Sequence, residues 1–297
     1  MYDCIIIGCG VSGMTAAIYL TRSNKKVLIL EKETIGGQIA SSPKVENFPG
    51  FKSISGVELA NNLYEQVLDL GASIELEEVL EVKPGKEIKV VTDENTYKTK
   101  TLIIATGSKY RLLGLENEIN LIGNGISFCV ACDGAFYKDK IVAVIGGGNS
   151  AVINALALSE MVEKLYVIQN LEDLTAETIM ADKLRSKENV EIICNSVVTK
   201  LNGEDELASI EIDTKGKLKT IKLDGMFISI GQQPETKIFE KIIDINKYNY
   251  FASDDCKTKL DNVFVSGDCR DKKVRQLTTA VSDGTIAALE AIKYLDK

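Results

Sequence analysis

Cys4-Ile5-Ile6-Ile7-Gly8-Cys9-Gly10-Val11-Ser12-Gly13 opens the chain with an apolar, β-rich run that breaks on a GxGxxG turn. Met14 to Arg22 has helical composition, and Lys26-Val27-Leu28-Ile29-Leu30 reads as a second strand ending at Glu31. Strand, glycine turn, helix and strand with a terminal acid form the context that makes GxGxxG a dinucleotide fingerprint. The glycines permit a tight turn and bring a pyrophosphate close to the helix N-terminus. The acid, 21 positions past Gly10, can accept from a ribose hydroxyl.

The pattern returns 138 residues later. Ile141 to Ile145 is a strand, Gly146-Gly147-Gly148-Asn149-Ser150-Ala151 is GxGxxA, a helix runs to about Met161, and Lys164 to Ile168 is the next strand. The position equivalent to Glu31 is Gln169. The architecture repeats, but the ribose-binding acid does not. Thr101 to Gly107 is a further strand running into a small-residue turn, and Val263 to Asp268 is another ending in Gly-Asp. A helix from about Gln276 to Tyr294 closes the chain. The fold class expected is α/β, with two Rossmann-type dinucleotide-binding domains and the second inserted in the first. The expected boundaries are 1–111 with 233–297 for the first domain and 112–232 for the second.

At 297 residues, 45% hydrophobic and 26% charged, the composition is that of an ordinary globular protein of about two domains. A net charge of −8 argues against nucleic-acid binding, which needs a concentrated basic face. No apolar run approaches the roughly 20 residues of a membrane span. The start lacks the basic n-region of a signal peptide, so a cytoplasmic protein is expected. The chain has no His, which excludes Ser-His-Asp, Cys-His and His-ligated zinc chemistry. Proton transfer then falls to carboxylates, Lys, Tyr or Cys.

Of seven Cys, only Cys129 and Cys132 form a close pair. An odd count in a chain of this size is not a disulfide scaffold, and one CxxC cannot complete a zinc site. No metal is therefore expected, and a redox dithiol is the better reading.

These motifs together resemble the low-molecular-weight thioredoxin reductase family of FAD flavoproteins. The resemblance rests on Gly8 to Gly13, Glu31, Gly36-Gly37-Gln38, Val45 to Gly50, Ala105-Thr106-Gly107, Cys129-Val130-Ala131-Cys132-Asp133-Gly134, Gly267-Asp268 and Arg275-Gln276, in this order along essentially the whole chain. It implies FAD on the first domain, with pyrophosphate on Gly8, Gly10, Val11, Ser12 and Gly13. Glu31 and Lys32 would hold the adenosine ribose, and the backbone near Val79 would meet the adenine. Gly37, Gln38, Asn47, Ala105, Thr106, Gly107, Gly267, Asp268, Arg275, Gln276 and Leu277 would line the rest of the cofactor. By the same resemblance Cys132 faces the flavin, Cys129 attacks the disulfide of a thioredoxin partner, and Asp133 protonates the departing thiolate. A homodimer is implied as well.

The chain departs from the family in its second domain. NADPH-dependent members end the strand after the second glycine turn in His-Arg-Arg, with another Arg four positions on. The equivalent positions here are Gln169-Asn170-Leu171 and Thr175, none basic, and Glu172 and Asp173 between them would repel a phosphate. Where the family carries Glu-Glu on the helix directly after the second glycine turn, this chain has Ile153-Asn154. The chain is in this respect most similar to the ferredoxin-dependent flavin thioredoxin reductases, which lack NADPH motifs. Ferredoxin is then the expected donor. Docking would fall to Lys109, Arg111, Arg270, Lys272, Lys273 or Arg275. NADH, with Glu172 reaching the ribose, stays open, as does a flavoprotein that binds or regulates another redox partner.

Overall fold

The computed structural model describes residues 1–297. In chain order β1 (Tyr2–Ile7) passes through the glycine turn into α1 (Val11–Arg22), and β2 (Val27–Glu31) follows. Next come α2 (Gly56–Asp69), β3 (Ser73–Leu76), β4 (Val79–Lys83), β5 (Ile88–Thr92) and β6 (Thr96–Ile104). The chain crosses out along β7 (Ser108–Tyr110) to α3 (Glu118–Leu121), β8 (Ile126–Ser127) and α4 (Val130–Asp133). There follow β9 (Ile141–Ile145), α5 (Asn149–Ser159), β10 (Lys164–Ile168), α6 (Thr178–Arg185) and β11 (Val190–Ile193). A meander of β12 (Ser196–Asn202), β13 (Ser209–Thr214) and β14 (Lys217–Lys222) precedes β15 (Gly225–Ile228). The chain returns along β16 (Gln232–Pro234), pairs β17 (Val263–Val265) and ends in α7 (Leu277–Leu295).

Two compact units result. One comprises Met1–Lys109 with Gln233–Lys297, the other Tyr110–Gln232. The first crossing thus comes two residues ahead of the 111/112 boundary expected from sequence.

In the first unit the sheet order is β3-β2-β1-β6-β5-β4, with β17 also on β6. β1, β2, β3, β6 and β17 run parallel, while β5 and β4 join as an antiparallel edge. Side chains alternate across a strand, and β1 shows it. Cys4 and Ile6 pack with Ile29 and Ile103 under the alanines of α1 and α7. Ile5 and Ile7 pack with Leu28, Leu30, Leu102, Phe239 and Phe251 on the other face. A strand buried on both faces must read as a continuous apolar run, as Ile5-Ile6-Ile7 does.

Two glycines make the turn possible. Gly8 lies at φ +105°, where a Cβ would overlap the carbonyl of Ala105, and a Cβ on Gly13 would overlap the Gly8 carbonyl oxygen. Any side chain at either position would push α1 off the sheet.

The second unit repeats the plan with the parallel order β11-β10-β9-β15-β8. Val142 and Val144 of β9 face α5 through Ala151, Val152 and Ala155, whereas Ala143 and Ile145 pack beside Val198, Ile210 and Ile212 of the meander. No helix is long and apolar enough to cross a membrane.

Candidate functional site

In the first unit Gly10 caps α1 in an extended conformation with no side-chain hydrogen bond to the helix. The first-turn N–H groups of a helix have no partner inside it, and with the helix dipole they suit an anion. A Cβ on Gly10 would meet nothing nearer than the Gly36 carbonyl oxygen at 3.9 Å, so the backbone there is approachable. Glu31 stands at the mouth of the turn. Its carboxylate accepts from the N–H of Cys9 at 2.7 Å and from Lys32 and Glu33 at 2.9 Å each. The Lys32 ammonium pairs with Glu235 at 2.9 Å. Gly37 adopts φ +60° beside Gly10, and the Gln38 amide donates to the Ser108 carbonyl. Ala105, Thr106 and Gly107 leave the end of β6, where Thr106 Oγ1 donates to the Glu235 carbonyl at 2.7 Å. Val79, buried, begins β4.

At the other side of this turn Gln276 caps α7 in a reciprocal capping box with Thr279, and Leu277 is the first helical residue. Asn47 Nδ2 donates to Gln276 Oε1 at 3.5 Å. Gly267 follows β17 at φ +77°, close against Ser12, whose hydroxyl bonds that of Ser266. Asp268 keeps one carboxylate oxygen, Oδ1, buried without a hydrogen bond. Lys272 Nζ lies 3.1 Å from that oxygen as an ion pair, and 3.0 Å from Asp283 on α7. Asp283 also pairs with Arg270 at 2.6 Å. Sequence reasoning missed Ser266 and Asp283; an acid in the small-residue stripe of α7 was the one available signal.

Arg275, expected at the flavin, also braces its own loop. Its guanidinium stacks 4.0 Å from the Tyr250 ring and donates to the carbonyls of Asp268, Arg270 and Lys272. It ties down the loop carrying Asp268. The basic docking patch expected near it is also largely committed. Lys109 pairs with Glu33, Arg270 with Asp283, and Lys272 with Asp268 and Asp283.

In the second unit Cys129 and Cys132 form a disulfide, with Cα atoms 5.2 Å apart. Cys129 caps the single turn α4, and the N–H groups of Cys132 and Asp133 both donate to its carbonyl, at 3.1 and 3.0 Å. Asp133 follows directly. Burial pushes its carboxyl above the ordinary value, against a hydrogen bond from Ser127 that favours the charged form. An acid so placed holds its proton further toward neutrality than a free aspartate, as a proton donor needs. The remaining cysteines are poor nucleophiles. Burial pushes Cys4, Cys9 and Cys256 up to about 12 and raises Cys194 and Cys269.

The second glycine turn differs from the first in what faces it. Gln169 is 5% exposed and its side chain lies against Gly147. Its Oε1 accepts from the Asn170 N–H at 3.1 Å and its Nε2 donates to the Asp173 carbonyl at 3.4 Å. Each end of the amide makes one hydrogen bond within its own loop. Thr175 folds back, its N–H donating to the Gly147 carbonyl at 2.8 Å. The nearby Arg185 is held by Asp173 and Asp182. At the position equivalent to Glu31 the second turn therefore carries a buried amide in place of a carboxylate.

A family model described as pyridine nucleotide-disulphide oxidoreductase matches residues 2–284. The chain belongs to that family. Among pyridine nucleotide-disulphide oxidoreductases it falls with the low-molecular-weight thioredoxin reductases, as its relatives indicate. It is 38% identical to the thioredoxin reductase of Bacillus subtilis over 302 residues, covering 100% of this chain and 96% of that protein. It is 43% identical to a 34.2 kDa protein in the rubredoxin operon of Clostridium pasteurianum, covering 99% and 97%. The crystal structure of thioredoxin reductase from Streptococcus pyogenes superimposes with a TM-score of 0.96 at 37% identity, covering 100% of this chain and 98% of that one. The chain is thus an FAD-dependent oxidoreductase of the thioredoxin reductase type. The first unit fits that cofactor: its glycine turn is open at Gly10, at the N-terminus of α1, and Glu31 bonds the backbone of that turn.

Proposed function

We propose that this oxidoreductase takes electrons from reduced ferredoxin and delivers them, through FAD and the Cys129–Cys132 pair, to thioredoxin in the cytoplasm. The observation carrying the choice of donor is Gln169, buried, with both ends of its amide occupied where a pyridine nucleotide needs an acid or cations. A relative in a rubredoxin operon adds support, since it places a one-electron iron protein beside a homologue. The committed state of Lys109, Arg270 and Lys272 leaves Arg111 and Lys273 as the basic residues for donor docking.

In this proposal Gly8, Gly10, Val11, Ser12 and Gly13 hold the pyrophosphate of FAD, and Glu31 with Lys32 its adenosine ribose. The backbone at Val79 meets the adenine. Gly37, Gln38, Asn47, Ala105, Thr106, Gly107, Gly267, Asp268, Gln276 and Leu277 fix the flavin side, and Arg275 shapes the loop that presents Asp268. FAD supplies the conversion from one-electron to two-electron chemistry. The protein's own steps are thiol chemistry. With the disulfide reduced, Cys129 attacks the acceptor disulfide, Asp133 gives its proton to the departing thiolate, and Cys132 resolves the mixed disulfide. A homodimer is part of the same proposal.

Anaerobic reduction of the yellow holoenzyme tests it. Reduced ferredoxin should bleach the flavin absorbance and support thioredoxin reduction, while NADPH and NADH leave the flavin oxidised. Rapid bleaching by either nucleotide would sink the donor assignment. Failure to reduce thioredoxin after bleaching would point to a different disulfide acceptor.

A further inference from the structure

The two carboxylate oxygens of Asp133 are not equivalent. Oδ2 accepts from Ser127 Oγ at 2.5 Å, whereas Oδ1 is buried with no hydrogen-bond partner. Ser127 ends β8 and is 5% exposed. Its Oγ also accepts the N–H of Cys129 at 3.1 Å. A single hydroxyl therefore joins the acid to the backbone of the first cysteine. A hydroxyl that accepts from an amide turns its own hydrogen elsewhere, here onto Oδ2. A carboxylic acid with one oxygen already accepting carries its proton on the other. We propose that Ser127 is a positioning residue for the disulfide exchange: it directs the proton of Asp133 to Oδ1 and fixes that oxygen in register with Cys129.

This deepens the reading of Asp133 as the acid and rests on it. In the step concerned, the Cys129 thiolate attacks one acceptor sulfur. The Cys129–acceptor bond forms, the acceptor's own S–S bond breaks, and the released thiolate takes the proton from Asp133 Oδ1. Cys132 then attacks Cys129 Sγ, which re-forms the internal disulfide and releases the second thiolate to be protonated by water. Two electrons held in the dithiol have moved to the acceptor, and water re-protonates Asp133. Tyr137, on the turn after α4, is the titratable neighbour that feels Asp133. Burial first, then Asp133, push it up to about 12, so it stays neutral throughout.

The test is a single turnover that bypasses the donor. Holoenzyme is reduced anaerobically with stoichiometric dithionite and mixed with hydroxyethyl disulfide or with 5,5′-dithiobis(2-nitrobenzoate). The alkyl thiolate of the first is a basic leaving group that needs a proton; the aryl thiolate of the second leaves without one. Ser127→Ala should lower the ratio of the two rates about tenfold, below the roughly 100-fold loss expected of Asp133→Asn. The acid works while protonated, so the rate with hydroxyethyl disulfide falls as pH rises through its pKa. Removing a bond that favours the carboxylate moves that alkaline limb to higher pH. Ser127→Thr, keeping the hydroxyl, should recover ratio and limb. An unchanged ratio in Ser127→Ala, with Asp133→Asn lowering it, overturns the role of Ser127 alone. An equal loss of both rates in Ser127→Ala, or no recovery in Ser127→Thr, overturns it too. An unchanged ratio in Asp133→Asn overturns the reading of Asp133 itself.

Discussion

Residues that motifs single out here are held by residues that no motif announces. Asp268 sits in a Gly-Asp that the sequence makes conspicuous, yet its placement depends on a buried chain of charge. Lys272 bridges it to Asp283, and Asp283 also holds Arg270, with side chains 10%, 8% and 13% exposed in that order. Removing one partner from such a set strands the others, which typically costs about 3–5 kcal/mol. Asp283→Ala should therefore lower the melting temperature and release FAD, read as a rise in free-flavin fluorescence on dilution. Wild-type flavin retention would show that Asp268 is positioned without this network. Ser127 and Asp283 were illegible for the same reason. A serine two residues before a cysteine and an acid in a helix carry no local pattern, because their meaning lies in partners made adjacent only by the fold. Arg275 adds a role its motif does not announce: beside the cofactor contact its position suggests, three of its N–H groups donate to carbonyls of one loop.

Elements that bury both faces wrote themselves plainly into the sequence, whereas half-exposed ones did not. β9 and β10 fall at the expected residues, and β1 and α1 within a few of them, because their apolar runs flank glycine turns. The antiparallel strands β4, β5, β12, β13 and β14 gave no such signal, since alternating polar faces and charged edges dilute it. β6 begins five residues before the expected Thr101 because its first residues pair with β5, ahead of most of its pairing with β1. That edge has its own fastening. The Glu77 carboxylate, between β3 and β4, accepts from Thr92 at 2.5 Å, Asn95 at 2.8 Å and Tyr97 at 2.6 Å. Burial alone would raise its pKa, but the three hydrogen bonds outweigh burial and hold it below the ordinary value. A depressed carboxyl contributes stability above its unfolded pKa and loses it as pH falls through the folded one. Glu77→Gln should cost about 1–3 kcal/mol at neutral pH in urea unfolding, with the gap from wild type closing below about pH 4. A gap constant with pH would mean that packing, not charge, fastens the edge.

At the scale of the whole molecule, the duplicated strand–turn–helix made the two-unit plan legible, and one position of the duplication carries an acid, Glu31, in one copy and an amide, Gln169, in the other. Each unit carries its own core. The clusters around β1 and β6 draw only on residues of the first, and those around β9 only on residues of the second. A cofactor bound to one of them should then stabilise that unit by mass action. Ligand at about 1,000 times its Kd adds about 4 kcal/mol, which for a unit of this size corresponds to a rise in melting temperature on the order of 10 °C. Removing FAD from the full chain should accordingly shift a low-temperature transition and leave a second one in place. Hydrogen exchange mapped by mass spectrometry should locate the lost protection in residues 1–109 and 233–297, while β9, β10 and α5 keep theirs. Equal loosening of residues 110–232 would mean that the second unit also draws stability from the flavin. If the donor is ferredoxin as proposed, the same experiment run with NADPH or NADH, in place of FAD removal, should leave protection around Gly146, Gly147 and Gly148 unchanged, since the Gln169 side chain packs on Gly147 and bonds within its own loop.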